Sequence, residues 1–360
     1  MRKRAGGPVA GLAWWMPKTV RVLAHNMLAL DDPDHRRLRG LVDGVFARRA
    51  VLAMEGQIET HAKGLLQRAV ADRGASKRDR TIDLMSAYAR PLPMMVICDL
   101  LGVPSTEREP FMKDALHLSG IAGVVGFLRA LWPLRRLRLR VERLIVDASV
   151  RLKAGGKPPG LTDDLVVLQR DGHTLSQDEL VAMVFLLLLA GHETTTHAIA
   201  GSVMASAVSP ECASQNNDLS KVLLNAASPL GIEECLRFVS PVQLSKPRFV
   251  LSSGALFDAE LEAGDLVMAS LACANRDAMQ FEQSDRFNLD RKPNPHLEFG
   301  AGAHFCLGHQ LARLELQVAL RVLAQEWPQL AVDADGVAKQ PRLGLAVLKT
   351  LRVWPDGKPA

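Results

Sequence analysis

Apolar residues recur every three to four positions along much of the chain, and this spacing is typical of amphipathic helices. It predicts helices in five stretches: 41–70 as one or two helices, 84–101 with a bend at its prolines, 128–150 as a long basic helix, 176–208 as a long buried helix, and 308–326. Short strand-like runs lie at 248–251, 266–270 and 345–353, and turn-rich coil fills 275–302. The pattern therefore predicts a mainly α fold with a small β component.

Composition agrees with a folded, helical protein. The 360 residues are 48% hydrophobic and 23% charged, which excludes disordered, collagen-like and disulfide-framework classes. Aromatic residues make up only 5%, whereas an all-β barrel or sandwich usually contains more of them. The stretch 155–160 (GGKPPG) is the strongest loop signal, and the helical pattern is similar on both sides of it. We therefore expect 155–160 to be a surface loop.

Net charge and cysteine usage indicate which partners and which cell compartment suit the protein. The formal charge of +5 suits an acidic partner but is too small to indicate a nucleic-acid-binding protein. Five scattered cysteines without a CxxC pair are typical of a reducing compartment, so we expect a cytoplasmic protein. The longest apolar run, 181–191, is too short to span a membrane. The basic start resembles a signal peptide only superficially, because Pro8, Trp14 and Trp15 interrupt its apolar stretch.

One cysteine stands in a distinctive setting. Cys306 follows a glycine-bearing loop (FGAGAHF), and a helical pattern starts directly after it. A thiol at a helix amino terminus faces unpaired backbone N–H groups and the positive end of the helix dipole, which stabilise a thiolate. Glycines such as Gly300 and Gly302 let the backbone approach a flat ligand. Two interpretations remain open: a small buried cysteine at a helix start, and an axial iron ligand, which needs one thiolate where zinc takes about four ligands.

A second polar motif interrupts the most apolar predicted helix. Residues 190–195 read AGHETT, and glycine, an acid and threonines are poor choices for a helix interior. A charge in this place is costly unless it is paired or functional. From the pattern alone, 190–195 is either a polar turn where the helix reaches the surface or a site where Glu193 and Thr194 act on a ligand.

Two further groups of charged residues accompany these motifs. Glu234 and Arg237 share one face of a predicted helix, where a solvated ion pair is the usual explanation. The run DPDHRRLR opens another helix with Asp32 as its expected cap, and His35 and Arg39 fall one turn apart on one face. Taken alone, this run is an exposed basic helix start.

The spacing Phe299-x-x-Gly302-x-His304-x-Cys306-x-Gly308 resembles the haem-binding loop of the cytochrome P450 family. The other motifs stand in the order and spacing typical of bacterial, soluble members. The resemblance implies the cytochrome P450 fold, with a large helical region, small β-sheets and a long central helix over haem. It also implies haem b (iron-protoporphyrin IX) with the Cys306 thiolate as axial ligand, which donates electron density that promotes O–O cleavage.

The resemblance also implies roles for the remaining candidates. Thr194 would hydrogen-bond the bound oxygen and Glu193 would gate proton delivery through water, in a helix locally opened beside Gly191. The Glu-x-x-Arg pair would be buried and brace the loop, joined by Arg286. The residues implied to hold the haem and its propionates are His35, Arg39, Ala190, Gly191, Arg248, Gly300, His304 and Cys306.

The resemblance runs from about Leu30 to the carboxyl end, so we expect 1–360 to form a single cytochrome P450 domain around one haem pocket. It does not extend to the front of the chain. Family members have several dozen more residues before the segment that starts at Asp32, and 1–30 is atypical. We therefore expect this chain to lack the usual amino-terminal segment.

The implied activity is that of a haem-thiolate monooxygenase, which inserts one oxygen atom from O2 into an apolar small organic substrate. Electrons would come from NAD(P)H through an acidic ferredoxin that docks on a basic face. The candidate residues of this face are Arg36, Arg37, Arg48, Arg49, Arg291, Lys292 and Arg313. Two alternatives stay open. One is a non-catalytic or degenerate haem-binding protein. The other is a peroxide-driven hydroxylase, although such members usually carry Arg-Pro in place of Glu193 and Thr194.

The basic stretch 128–150 interleaves arginines with apolar residues and therefore predicts a basic amphipathic helix. The resemblance makes this region part of a lid over the substrate pocket. Its residues Ile121, Val124, Val125 and Phe127 suit an apolar substrate. We expect its outer face to be solvated, and contact with an anionic membrane surface is the less favoured interpretation.

Overall fold

The structure, a computed structural model, describes residues 26–73, 80–116, 123–156, 160–170, 175–215, 218–340, 342 and 344–358, with the backbone only for 116, 123–130, 211 and 334. The side chains of the lid residues Ile121, Val124, Val125 and Phe127 and the centre of the loop 155–160 lie outside this description. The described part of the chain is mainly helical, as the sequence predicts.

Thirteen α-helices lie within the described residues. They are α1 (Asp34–Gly40), α2 (Arg48–Leu52), α3 (Glu55–Arg73), α4 (Pro91–Leu101), α5 (Ser105–Leu116), α6 (Gly123–Lys153), α7 (Leu161–Arg170), α8 (Gln177–Ala207), α9 (Pro210–Ser214), α10 (Leu219–Ala226), α11 (Pro229–Val239), α12 (Leu271–Ala274) and α13 (His309–Glu326).

The long helices match the predicted ones closely. α8 and α13 agree with the predicted bounds to within one residue, and α6 extends the basic helix at both ends. The stretch 41–70 forms two helices, α2 and α3. The stretch 84–101 divides into a π-helical turn, Met85–Ala89, and α4, which begins at Pro91. Proline has no N–H to donate to the preceding turn, so it ends the first element and suits the first position of the second.

Within the described residues, β-structure is confined to small antiparallel pieces. The strands are β1 (Ile82–Asp83), β2 (Arg248–Phe249), β3 (Gly254–Leu256), β4 (Ala259–Leu261), β5 (Leu266–Val267), β6 (Ala331–Gln340) and β7 (Val347–Trp354). β7 pairs with β1 on one side and β6 on the other, β2 pairs with β5, and β3 pairs with β4. The sequence predicts β2, β5 and β7 but misses β6. Asp333, Asp335 and Gly336 are residue types that strands disfavour, and the register of β6 shifts between Val332 and Val337.

The chain divides into two compact units, each assembled from three segments. Unit 1 is Met1–Val45, Ile97–Ala190 and Ser245–Ala269, and unit 2 is Phe46–Val96, Gly191–Leu244 and Ser270–Ala360. The expectation of a single domain over 1–360 stays a prediction.

Unit 1 is organised around α6, which packs against α5 and α7. Arg140 on α6 donates to Asp114 at 2.9 Å and to Glu107 at 2.8 Å on α5. Arg151 donates to both carboxylate oxygens of the fully buried Asp163 on α7, at 2.9 and 3.0 Å. A bidentate guanidinium satisfies a buried carboxylate well, so these pairs fix the three helices together.

Unit 2 is organised around α13, which packs against α3 and α10. Most of the side chains of α13 from Leu314 to Ala324 are buried. The fully buried Tyr88 donates its hydroxyl to the Ala319 carbonyl at 2.9 Å. α13 is therefore a rigid support for the loop that precedes it.

α8 is the one described helix that is long and apolar enough to cross a bilayer. However, 67% of its most apolar window is buried inside the fold, a property of core helices.

Candidate functional site

Two glycines and a backbone hydrogen bond shape the loop that carries Cys306. Gly300 and Gly302 adopt φ angles of +69° and +76°, and no atom lies within 4 Å of where a Cβ would stand on either. Such φ angles favour glycine, which explains the residue type. The Cys306 N–H donates to the Phe299 carbonyl at 3.0 Å, and α13 begins three residues later. The half-buried thiol thus stands at a helix start, as predicted.

The other cysteines have different surroundings. None of the five forms a disulfide. Burial raises the pKa of the Cys98 and Cys235 thiols to about 12 and raises that of Cys212 above its usual value. Cys273 is exposed on the short helix α12. Cys306 alone among the five combines partial access with a glycine loop.

An unpredicted cluster ties this loop to two helices. Arg313 on α13 lies 4.5 Å from the ring centre of Phe299 and donates to both carboxylate oxygens of Glu233 on α11, at 2.6 and 2.8 Å. His296 lies 2.9 Å from the same carboxylate. Burial alone would raise the pKa of Glu233, but the hydrogen bonds with Arg313 and His296 lower it to about 2. Arg313 therefore clamps the loop instead of standing free on the predicted basic face.

The Glu-x-x-Arg pair is fully buried on α11, as the resemblance implies. Arg237 donates to both carboxylate oxygens of Glu234 at 2.8 Å and to the Asn275 and Ser284 carbonyls at 2.8 Å. Arg291 is the third side chain of the network and donates to Glu234 at 3.1 Å. Each buried charge is thus paired and hydrogen-bonded, the condition under which burial is tolerated.

The predicted role of Arg286 in this network is wrong for its side chain. The Arg286 guanidinium donates to Gln283 at 3.3 Å, and only its backbone carbonyl accepts from Arg237 and Arg291, at 3.1 and 3.2 Å. Arg291 is buried in the network and is therefore also wrongly placed on the basic face. The error arises because backbone carbonyls, which any residue supplies, do much of the binding here. Ser284, where the family usually has proline, also contributes its carbonyl.

Glu298, a buried acid next to the loop, was not predicted from the sequence. Glu298 accepts the Val242 N–H at 2.9 Å through one carboxylate oxygen, and the other has no partner in the described part of the chain. Burial raises the pKa of Glu298 to about 8, so the carboxyl is mainly protonated at neutral pH. The available signal was an acidic residue within the otherwise apolar run HLEF.

The AGHETT motif lies on the accessible stripe of an otherwise buried helix. Ala190 is exposed and Glu193 and Thr194 are half-buried, whereas the flanking turns of α8 are mostly buried. Leu186 and Leu189, one turn earlier, are also half-buried, so the stripe follows helical spacing. The sequence alternative of a site facing a ligand or solvent is thus compatible with the helix geometry.

The prediction of a local opening beside Gly191 is wrong for this structure, in which α8 is a continuous helix through the motif. The hydroxyls of Thr195 and Thr196 find acceptors within the helix itself. Thr196 donates to the His192 carbonyl at 2.8 Å, and Thr195 lies 3.4 Å from the Gly191 carbonyl. Such bonds to the residue four positions earlier let polar side chains remain inside a helix.

Glu193 forms an ion pair that the sequence did not reveal. The Arg342 guanidinium contacts the Glu193 carboxylate, and both side chains are half-buried. The two residues are 149 positions apart, so no sequence spacing could indicate the pair. Nearby, burial, followed by the charges of Arg90 and Arg342, lowers the pKa of the buried His197 to about 4. His197 is therefore neutral, and its Nδ1 lies 3.4 Å from the Leu348 N–H.

In unit 1, the three predicted propionate ligands stand next to carboxylates. His35 is buried with its Nδ1 3.4 Å from Asp32, and Arg39 lies 3.4 Å from Asp43. Arg248 lies 3.9 Å from Asp31, whose carbonyl accepts the His35 N–H at 3.0 Å. The structure thus brings His35 and Arg248 together around Asp31.

Asp32 is not the cap of α1, contrary to the prediction. Pro33 occupies the N-cap position, without a side-chain cap. Asp32 instead accepts from Arg36 at 2.7 Å and faces His35. Asp32 does not cap the helix because its carboxylate is engaged by these two side chains.

The residues present fit a haem. A half-buried thiol outside any disulfide, at a helix start, suits one axial iron ligand, and the open space beside Gly300 and Gly302 suits a flat group. His304, which ends the 3₁₀ turn Gly302–His304 in unit 2, can donate to a carboxylate. Within unit 1, the guanidinium groups of Arg39 and Arg248 can do the same. Among the described side chains, no three histidines, cysteines or acids are grouped as metal ligands, which suits a single-thiolate donor set.

Comparisons with known proteins agree on one family. The family model for Cytochrome P450 matches residues 222–348. Vitamin D(3) 25-hydroxylase from Pseudonocardia autotrophica is 37% identical over 308 residues, which cover 85% of this chain and 71% of that protein.

Solved structures have the same fold. The cytochrome P450 PksS of the Bacillus subtilis bacillaene polyketide synthase matches with a TM-score of 0.82 and 29% identity, over 95% of this chain and 84% of that one. P450BioI in complex with hexadec-9Z-enoic acid ligated acyl carrier protein matches with a TM-score of 0.80 and 30% identity, over 94% and 84%. These findings confirm the fold that the sequence implied. The chain belongs to the cytochrome P450 family and is an oxidoreductase of its monooxygenase class.

Proposed function

We propose that Cys306 is the axial thiolate of a bound haem and that Glu193 and Thr194 deliver protons to the reaction. The observation that carries this proposal is the Cys306 loop, in which one half-buried thiol outside any disulfide stands between two positive-φ glycines and the start of α13. Haem, when bound, supplies the activation of dioxygen from which one oxygen atom enters an organic substrate.

The remaining candidates hold the haem. His304, His35, Arg39 and Arg248 donate to its two propionates, because cationic donors stabilise carboxylates that enter a partly buried pocket. Gly300, Ala190 and Gly191 are small enough to let a flat macrocycle approach the backbone. In this account each of the ten site residues binds haem or acts in its reaction, and the whole chain is one catalytic domain.

Glu193 and Thr194 are suited to proton delivery because they are adjacent and partly accessible on α8. The ion pair with Arg342 restrains the Glu193 carboxylate, and its opening frees the carboxylate to exchange protons with water. Thr194 then donates from its hydroxyl to the reacting oxygen. Proton transfer by positioned side chains typically accelerates a reaction by about 10²–10⁴-fold.

The substrate is an apolar small molecule. Leu186 and Leu189 lie on the accessible stripe of α8 next to the proton-delivery pair, so an apolar surface borders that pair. Among the similar proteins named above, one is a vitamin D(3) 25-hydroxylase, and another is in complex with an acyl carrier protein to which hexadec-9Z-enoic acid is ligated.

Electrons come from NAD(P)H through an acidic ferredoxin. Of the predicted basic face, Arg48, Arg49 and Lys292 remain exposed in unit 2, whereas Arg291 and Arg313 are engaged in the networks described above. In unit 1, Arg37 pairs with Glu179 and Arg36 with Asp32. Exposed basic side chains accelerate encounter with an acidic partner, and the acceleration falls with ionic strength.

Turnover in a reconstituted system tests this proposal. Apolar compounds are first screened for a shift in the haem spin state, and compounds that shift it are then supplied with NADPH, ferredoxin reductase, ferredoxin and isotopically labelled dioxygen. We expect products that contain one labelled oxygen atom. Turnover that requires peroxide and ignores ferredoxin would instead identify a peroxide-driven hydroxylase, and a haem protein without turnover by either route would contradict the proposal.

A further inference from the structure

The outer face of α6 carries a row of apolar side chains. Trp132, Leu139, Val146 and Val150 are 64%, 55%, 57% and 61% exposed. They are separated by seven, seven and four residues, so helical periodicity places them on one stripe about 27 Å long. A single exposed apolar residue is ordinary on a protein surface, but a continuous row of this kind is not.

This row is distinct from the core face of the helix. Leu137, Val141 and Leu144 are buried on the opposite side, where α6 packs against α5 and α7. The sequence pattern could not separate the two faces, because apolar residues occur on both. α6 therefore has one apolar face covered by its own unit and a second that faces outward.

Positive charge flanks the outer row. α6 contains seven arginines and one lysine against one aspartate and one glutamate, a net charge of +6. Arg138, Arg140 and Arg151 are neutralised by carboxylates. Arg135 and Arg143 are exposed beside the row and have no carboxylate partner within the described residues, and Asp147 is the one exposed acid of the helix there.

We propose that this face, which comprises Trp132, Leu139, Val146, Val150, Arg135 and Arg143, binds an anionic membrane surface. Tryptophan and aliphatic side chains enter the boundary of the acyl chains, while flanking arginines contact lipid phosphates or carboxylates. The row lies along the outermost line of one helix. Such a convex surface fits a flat lipid surface better than it fits a peptide segment, which needs a groove. Binding would bring the enzyme to the phase in which apolar compounds accumulate, and it does not depend on the proposed haem chemistry.

Protein occupants fit this face less well. Its four apolar side chains expose a few hundred Å² together, whereas a stable protein interface buries about 800 Å² on each partner. A second copy of the chain would place Arg135 and Arg143 against the same residues, and like charges oppose such contact.

Co-sedimentation of the full chain with lipid vesicles tests the proposal. One set of vesicles contains phosphatidylcholine alone and the other contains phosphatidylcholine with phosphatidylserine. We expect binding to the anionic vesicles that weakens with salt, and a loss of about tenfold in partitioning for the double variant Trp132→Ser/Leu139→Ser. Arg135→Gln/Arg143→Gln should weaken binding and reduce its salt dependence.

Phe257→Ser is the matched control, because it removes an aromatic side chain that is 95% exposed elsewhere in unit 1. It should leave vesicle binding unchanged. The substituted side chains are exposed, so circular dichroism should show unchanged thermal unfolding for each variant. Absence of binding to anionic vesicles, or binding that survives both double variants, would overturn the proposal. So would self-association or capture of an acidic protein that the α6 variants abolish while vesicle binding stays absent.

Discussion

The proposed role of Thr194 can be tested with little effect on protein stability, because its side chain is half-buried on the accessible stripe of α8. Thr196, two positions later, has the same side chain but is buried and donates to a backbone carbonyl of its own helix. Comparing variants of the two threonines therefore distinguishes a role in proton delivery from a hydrogen bond within the helix.

Thr194→Ala should uncouple electron consumption from product formation. Without the hydroxyl, proton delivery becomes unselective and reduced oxygen leaves as hydrogen peroxide. We expect the product formed per NADPH consumed to fall by about tenfold, measured together with the peroxide released. Thr196→Ala should keep its coupling, and equal coupling in both variants would contradict the role of Thr194.

His197 makes stability depend on pH. Its pKa is about 4 in the folded protein and about 6.5 when unfolded, so the unfolded chain binds more protons between these values. The contribution of neutral His197 to the free energy of unfolding is therefore complete above pH 6.5 and is lost as the pH falls towards 4. In urea unfolding, the wild type should lose on the order of 3 kcal/mol relative to His197→Asn across this window. Parallel pH profiles for the two proteins would show that His197 does not titrate in this way.

At the residue scale, sequence reasoning was strongest where spacing encodes chemistry. Cys306, with its glycines and following helix, was found from ten consecutive residues. Arg342, Arg313 and Arg291 were missed or placed wrongly, because their partners Glu193, Glu233 and Glu234 lie 149, 80 and 57 positions away. Such pairs form only once the chain has folded.

At the scale of elements, α11 and α13 act together on the Cys306 loop. α11 supplies Glu233, α13 supplies Arg313, and the Arg313 guanidinium stacks on Phe299 at the start of the loop. The aromatic contact adds a cation–π interaction to the bidentate ion pair. The cluster therefore connects the fold to the position of the thiol.

Arg313→Ala should loosen this connection. It leaves the half-buried Glu233 with His296 as its side-chain partner and removes the support under Phe299. We expect a loss of about 1–2 kcal/mol in the free energy of unfolding and faster transfer of haem to a scavenging apoprotein. Arg321→Ala, on the same helix, breaks single-contact ion pairs with the exposed Glu55 and the half-buried Glu59 on α3, leaves the Cys306 loop untouched, and should cost less than about 1 kcal/mol. Haem loss at the same rate in both variants would argue against a clamp.

Helices were predicted more completely than strands. The apolar spacing of α8 and α13 gave their bounds to within one residue, because long helices repeat the pattern many times. β3 and β4 have three residues each and are largely exposed, so no alternation could mark them. The expected opening in α8 failed for a local reason, since threonine hydroxyls bond to the carbonyls beside Gly191.

At the scale of the whole molecule, composition indicated the class of fold but not the use of its surface. The net charge of +5 is unevenly spread, since α6 alone carries +6. Two arginines of the predicted basic face, Arg291 and Arg313, are engaged in ion-pair networks. An exposed apolar row lies on α6, which the sequence pattern predicted only to be basic and amphipathic. Exposure depends on which faces the fold covers, and the sequence alone does not specify this.

The central claim is that Cys306 holds haem iron as a thiolate, and the spectrum of the reduced chain with carbon monoxide tests it most directly. The haem-loaded wild type should show the red-shifted band of a thiolate-ligated carbonyl complex, as should Cys273→Ser, which changes an exposed cysteine distant in sequence. Cys306→Ser should lack that band even if it retains haem. A wild-type chain that binds haem without the band, or a Cys306→Ser variant that keeps it, would contradict the account.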